Sequence, residues 1–147
     1  MRSPEQVCWD FVQQWINKAE QDLAAARVLL ESGLEHYENV GFHAQQAAEK
    51  YIKAFLVRHQ IEFPKTHDLA RLQGLVAQAN QDLAGRLALA DALTPYGVEF
   101  RYPSELGVVS QDQGKEALQV AEQVQVLVLE SLKTYLNAGR PEAEGST

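Results

Sequence analysis

Residues 42–56 read FHAQQAAEKYIKAFL, and the side chains in this stretch able to bind or move charge are gathered on one line. On a helix of 3.6 residues per turn, Phe42, Gln46, Glu49 and Lys53 share a narrow stripe, with Ala44, Ala48, Tyr51, Ile52 and Phe55 opposite. Glu49 and Lys53 form an i,i+4 pair in the favourable order, worth about 0.2–0.5 kcal/mol if it is simply a wet surface pair. A large aromatic such as Phe42 is out of place in a wet stripe. Its presence favours a stripe that faces another helix, or a second subunit, and carries a hydrogen-bonded network.

Four further residues have the right chemistry for a site. Asp22 lies between Ala19 and Ala26 on an apolar seam. A carboxylate buried there needs a partner, for which Lys50, Lys53 or a helix-start amide qualifies; a helix rotated toward water removes the need. His67 stands at a helix start, where free amides can hold a phosphate; the alternative is a ring packed on Phe63-Pro64. Arg101 and Tyr102 precede Pro103 in a turn and offer a planar fork and a stacking face. Their alternative is a salt bridge to Glu99 or Glu105, with the Tyr as a lid on the core. A phosphate-bearing ligand, if one binds, would meet Lys53, His67 and Arg101 through phosphate, with Tyr102 as a stacking face. No metal site is expected: His36, His43, His59 and His67 are not spaced i,i+4, and no carboxylate cluster supports them. No catalytic residue is assigned.

Composition narrows the classes. The chain has 147 residues, enough for one domain with a real core, and 46% are hydrophobic. A single cysteine, Cys8, excludes an internal disulfide framework and fits a reducing cytoplasm. No apolar run reaches the ~20 residues of a membrane span, and MRSPEQ has no apolar stretch behind it, so neither a membrane anchor nor a secretory signal is expected. The formal charge of −7 argues against broad nucleic-acid binding. Residues 50–71 nevertheless carry five Lys/Arg against Glu62 and Asp68, or +3, which leaves −10 for the rest. Such a patch suits one phosphate group, or is a solvated run of charge.

The elements that must position these groups are helices. Ser3-Pro4-Glu5 opens the first, with apolar positions at Cys8, Val12, Trp15, Ala19, Leu23, Ala26 and Leu30, and Ser32-Gly33 stops it. The second spans about 38–60, with small Ala44, Ala47, Ala48 and Ala54 admitting a close neighbour. Pro64 interrupts, Thr66 caps a third helix to about Ala79, and Asn80-Gln81-Asp82 starts a fourth carried by Leu83, Leu87, Ala90 and Leu93. The last follows Ser110-Gln111-Asp112 through Ala117, Ala121, Val124, Val128, Leu132 and Tyr135; its AEQVQVLVLE alternates like a strand but sits inside an unbroken helical pattern. The expectation is an all-α, antiparallel up-and-down bundle of about five helices over residues 1–137, with a disordered polar tail over 138–147.

Four motifs together resemble the HEPN (higher eukaryotes and prokaryotes nucleotide-binding) domain: W-x3-A-x2-D-L-x2-A from Trp15, Y-x4-F-x3-Q-A-x-E-K-x2-K-A from Tyr37, T-H-D-L at 66–69 and R-Y-P at 101–103. The resemblance covers about residues 9–137. It implies a helical bundle, commonly a homodimer, often encoded beside a minimal nucleotidyltransferase in toxin–antitoxin-type modules. On that footing Lys53, His67, Arg101 and Tyr102 are candidate nucleotide contacts, and Asp22, Phe42, Gln46 and Glu49 candidate members of an interface or polar network. Other branches of the family are ribonucleases, marked by Arg followed four to six residues later by His in a late helix. No Arg–His pair here has that spacing, and no His follows position 67. A non-catalytic nucleotide-binding or partner module is the expectation, with a divergent ribonuclease using Arg101, Tyr102 and His67, or a ligand-free interaction domain, as alternatives.

Overall fold

The computed structural model describes residues 1–97 and 107–143. Among them are six α-helices and one 3-10 helix, with no strand: α1 Pro4–Leu30, α2 Glu38–Arg58, α3 Leu69–Val76, α4 Gln81–Arg86, the 3-10 helix Leu87–Tyr96, α5 Gln111–Ser131 and α6 Lys133–Ala138. The all-α bundle read from periodicity is the fold observed.

Helix α1 starts where its caps dictate. Ser3 Oγ accepts from Gln6 N at 3.2 Å, Gln6 Oε1 accepts from Ser3 N at 3.0 Å, and Pro4 opens the first turn. Its buried line runs Val12, Ile16, Ala19, Leu23, Ala26, Leu30, so Ile16 rather than the expected Trp15 is the deep residue. The Trp15 indole is too large for the close α1–α2 contact and sits at its rim, on Phe63. Gly33, at φ 72°, turns the chain back after the helix.

Helix α2 is the axis of the molecule. From Ala44 to Leu56 every residue except Lys50 is buried, because α1, α3, α5 and the 3-10 helix all pack on it. The four alanines anticipated as a thin surface are fully buried. Gly41 thins it further: a Cβ there would stand 2.3 Å from Tyr96 Cδ1. Gln125 Nε2 donates to the buried Tyr51 hydroxyl at 2.9 Å, and burial pushes that phenol up to about 12.

Later boundaries depart from the pattern for local reasons. Asp68, not Thr66, caps α3: its carboxylate accepts from Arg71 N at 3.3 Å, while Thr66 Oγ1 accepts from Asp68 N. The expected fourth α-helix tightens into 3-10 at Leu87. Leu87, Ala90 and Leu93 are spaced by three, the 3-10 period, and Pro95 cannot extend an α-helical ladder. The Ser110–Gln113 capping box starts α5, and the run AEQVQVLVLE is helical within it. Leu132 interrupts the expected continuous helix, and α6 follows as a separate short helix. After it, Arg140 Nε and Nη2 donate to the two Asp10 oxygens at 3.0 and 3.1 Å, and Gln6 Nε2 donates to Pro141 O at 3.0 Å, so residues 140–141 lie on α1. Among the described residues no helix is long and apolar enough to cross a membrane.

Two predictions follow from this geometry. Gly41→Ala should destabilise by about 1–3 kcal/mol although Ala is the better helix former, because the methyl meets the Tyr96 ring. Gly74→Ala, with open space around its Cβ, should stabilise by about 0.5–1 kcal/mol. Urea denaturation of both variants checks the pair, and equal signs would refute the close approach. Separately, Arg140 and then Arg2 hold the Asp10 carboxyl at about 2. A depressed carboxyl contributes stability present above its unfolded value of about 3.9 and lost as pH falls through about 2. NMR titration should find that low midpoint, raised more by Arg140→Gln than by Arg2→Gln.

Candidate functional site

Between Ala44 and Leu56 only Lys50 of α2 is not buried, so the polar side chains enclosed there must find partners inside the protein. Glu49, 2% exposed, is the centre. Lys53 Nζ donates to its Oε2 at 3.0 Å, and His67 Nδ1 lies 2.8 Å from its Oε1. Gln46 Nε2 donates to Gln45 Oε1 at 2.7 Å; Gln45 Nε2 donates to His67 O at 3.2 Å and reaches Glu49 Oε1 at 3.5 Å. The Lys53 ammonium also stands over the Trp15 and Phe63 rings, 5.3 and 5.7 Å from their centroids. One carboxylate thus faces a buried cation, an imidazole and an amide, which is what keeps a buried charge tolerable.

A second cluster lies on the neighbouring face of the same helix. Asp22 of α1 reaches across to His43, whose Nδ1 is 2.9 Å from Oδ1, and to Lys50, which donates to Oδ2. The Phe42 ring meets His43 edge-on at 5.4 Å. His43 and Lys50 are seven residues apart and so share a face.

The two clusters have the same design. A carboxylate, mostly or fully buried, is shared between one lysine and the Nδ1 of a histidine. A neutral imidazole in that position carries its proton on Nδ1 and turns Nε2 outward. His67 has a side chain 44% exposed and His43 one 30% exposed, so both rings reach solvent from a fixed carboxylate. Such a ring can take or give a proton, or donate to an anion when protonated.

The structure brings together Gln46, Glu49, Lys53 and His67, and it buries the polar stripe of α2 within one protomer. Asp22 belongs to the other cluster, where Lys50, not Lys53, is its lysine. Phe42 borders that cluster. Lys53, expected to meet phosphate, is instead a buried cation, 8% exposed, between Glu49 and two rings. Burial needs a counter-charge close by, and Glu49 one turn away supplies it. Arg101 and Tyr102 lie outside the described residues. Gly97, on the chain's way to them, is against Gln45: its Cβ would be 3.7 Å from Gln45 Cδ. Gln45 and His43 carry no signal by residue type; the seven-residue spacing of His43 and Lys50, with Asp22 on a facing seam, does. Among the described residues no group of three His, Cys, Asp or Glu could hold a metal ion.

Comparison with known proteins adds a relationship to this geometry. The family model described as the HEPN domain matches residues 12–132. A curated protein of Methanocaldococcus jannaschii, named "Putative toxin MJ1304", is 26% identical over 140 residues, covering 86% of this chain and 88% of that protein. No solved structure matches the chain at comparable stringency.

The buried pair can be tested by a double-mutant cycle. Glu49→Gln strands the Lys53 ammonium against two rings and should cost about 3–5 kcal/mol. Adding Lys53→Met removes the stranded charge and should recover most of that loss. Urea denaturation of the two singles and the double reads the coupling, and additive losses would show that the two charges do not share a site.

Proposed function

The chain belongs to the HEPN domain family, and from that premise we propose that it is the HEPN member of a toxin–antitoxin-type system: a module without catalysis of its own that binds a nucleotide and acts with a minimal nucleotidyltransferase. The name of the Methanocaldococcus jannaschii relative supports the toxin-type role. The observation that carries the ligand half is His67, a solvent-reaching imidazole held at Nδ1 by a buried carboxylate. Exposed Lys65 and Arg71 flank it in sequence within an otherwise acidic chain. A phosphate group placed there meets His67 directly, while Lys53 acts on it through Glu49. Arg101 and Tyr102 complete the candidate set read from sequence. A two-fold homodimer is part of the same proposal, with Phe11 and Val28 of α1 as exposed apolar surface for it.

One observation favours a second reading. A histidine oriented by a carboxylate is the arrangement of a general base, which keeps a divergent ribonuclease in view. Against it, phosphodiester cleavage needs an acid or a phosphate clamp as well, and the Arg–His spacing of the ribonuclease branch is absent from the chain.

Titration of ATP and GTP by calorimetry should show binding that His67→Ala and Arg101→Ala each weaken by about tenfold or more, the loss of one charged contact to phosphate. Binding that neither substitution weakens threefold would place the ligand elsewhere. No binding at millimolar nucleotide would leave a protein-binding module. RNA cleavage that survives purification and disappears in His67→Ala would establish the second reading instead.

A further inference from the structure

The chain has four histidines, and they are held in different ways. His43 and His67 turn Nδ1 to a carboxylate, at 2.9 and 2.8 Å. Such a bond survives titration of the ring, because a neutral imidazole with its proton on Nδ1 donates to the carboxylate and so does the imidazolium. His59 stacks at a tilt on Phe55, with 4.4 Å between centroids. His36, on the link between α1 and α2, differs from all three. Its Nδ1 accepts, from Val109 N at 3.3 Å. An accepting nitrogen needs a free lone pair, so this bond exists only on the neutral ring with its proton on Nε2.

The bond is half of a clasp. Val109 directly precedes Ser110, the cap of α5, and is 2% exposed. Its carbonyl accepts from Tyr37 N at 3.0 Å while its N–H donates to His36, so the backbone at 109 is bonded to both residues 36 and 37. Two neighbouring contacts do not involve the ring. Gln111 Nε2 donates to Leu30 O at 3.2 Å, and Gly114 lies against Tyr37, where a Cβ would stand 3.2 Å from Tyr37 Cβ. Helix α5 is thus held whatever charge His36 carries, and Val109 is the part that the ring controls.

The surroundings let the ring take a proton in place. Its side chain is 41% exposed, and Glu38 Oε2 lies 3.6 Å from Nε2. The other ionisable groups on the described elements that meet here are Glu31 at the end of α1, Glu35 on the link, and Asp112 and Lys115 at the start of α5. All but Lys115 are acidic, so an imidazolium finds counter-charge. The free amides at the starts of α2 and α5 oppose it.

We propose that His36 is a proton-operated catch on the entry to α5. With the ring neutral, the Val109 N–H is bonded. A proton added at Nδ1 sets two donors against each other. That bond is lost and the imidazolium keeps Glu38 at Nε2, while the Glu49 and Asp22 clusters keep their bonds. The catch is closed where an imidazole is neutral and open where it is charged, a change that falls between about pH 5 and 8. It does not depend on any nucleotide.

NMR of the isotope-labelled protein tests this. At about pH 8, long-range proton–nitrogen spectra should find His36 protonated on Nε2, and His43 and His67 protonated on Nδ1. Hydrogen exchange, corrected for its intrinsic pH dependence, should show the Val109 amide about threefold to tenfold less protected at about pH 5 than at about pH 8, the net worth of one hydrogen bond. The Ile52 amide within α2 should stay within about twofold. His36→Ala should give low protection of Val109 at both pH values. His36→Asn, whose Oδ1 accepts without titrating, should give high protection at both. A His36 ring protonated on Nδ1 at the higher pH overturns the proposal. So does Val109 protection that is unchanged by pH in the wild type, a fall that persists in His36→Ala or His36→Asn, or a parallel fall at Ile52, which would assign the change to the whole fold.

Discussion

The fold depends on how α2 disposes of Glu49. A helix enclosed by four neighbours has to bring its polar residues inside with it, and a carboxylate in a low-dielectric interior is tolerable only when its charge is matched and its oxygens are bonded. Lys53 supplies the charge one turn away. His67 and Gln45 supply the bonds, and Trp15 with Phe63 shields the ammonium from water. Two consequences follow for the chain outside α2. The α2–α3 link must bring both the His67 ring and the His67 carbonyl to the helix, which fixes where α3 begins. And α1 must present Trp15 at its rim, which sets its rotation so that Ile16 points inward.

That rotation also decides the second cluster. With Ile16, Ala19 and Leu23 on the core side, Asp22 is turned toward the edge of the α1–α2 contact, where it is 12% exposed and within reach of both His43 and Lys50. Small residues on α2 make the reach possible: with Ala44 and Ala47 at the contact, the two backbones come close enough for a side chain as short as aspartate to bridge them. The polar clusters and the alanines are therefore one design. Replacing the alanines by larger residues would separate the helices and leave Asp22 short of its partners.

Much of this was legible. Period, caps and breakers gave the order and type of every long helix, because a buried stripe must recur every three or four residues and a helix start must satisfy its free amides. Gln46, Glu49 and Lys53 of the polar line are buried, whereas Phe42, the residue that suggested it, is half-buried and borders the Asp22 cluster. Misreadings arose where two physical rules competed. At Thr66 and Asp68 two capping side chains lay within three residues, and the carboxylate reached the Arg71 amide. At Leu87–Tyr96 a spacing of three fits both helix types, and Pro95 tips it to the tighter one. At Lys53 the basic character of the segment suggested an anion from outside, whereas the pairing of i with i+4 placed the anion on the same helix.

In both clusters the lysine and carboxylate neutralise each other, so the groups left to act on a solute are the imidazoles. Each carboxylate therefore has its counter-charge from a lysine and a further bond from a histidine. With Lys53 in place, Glu49 keeps a partner on each oxygen: Lys53 on Oε2 and His67 on Oε1. The buried pair thus satisfies Glu49 from within α2 and leaves the His67 ring, on the link before α3, as the part of the network that reaches solvent.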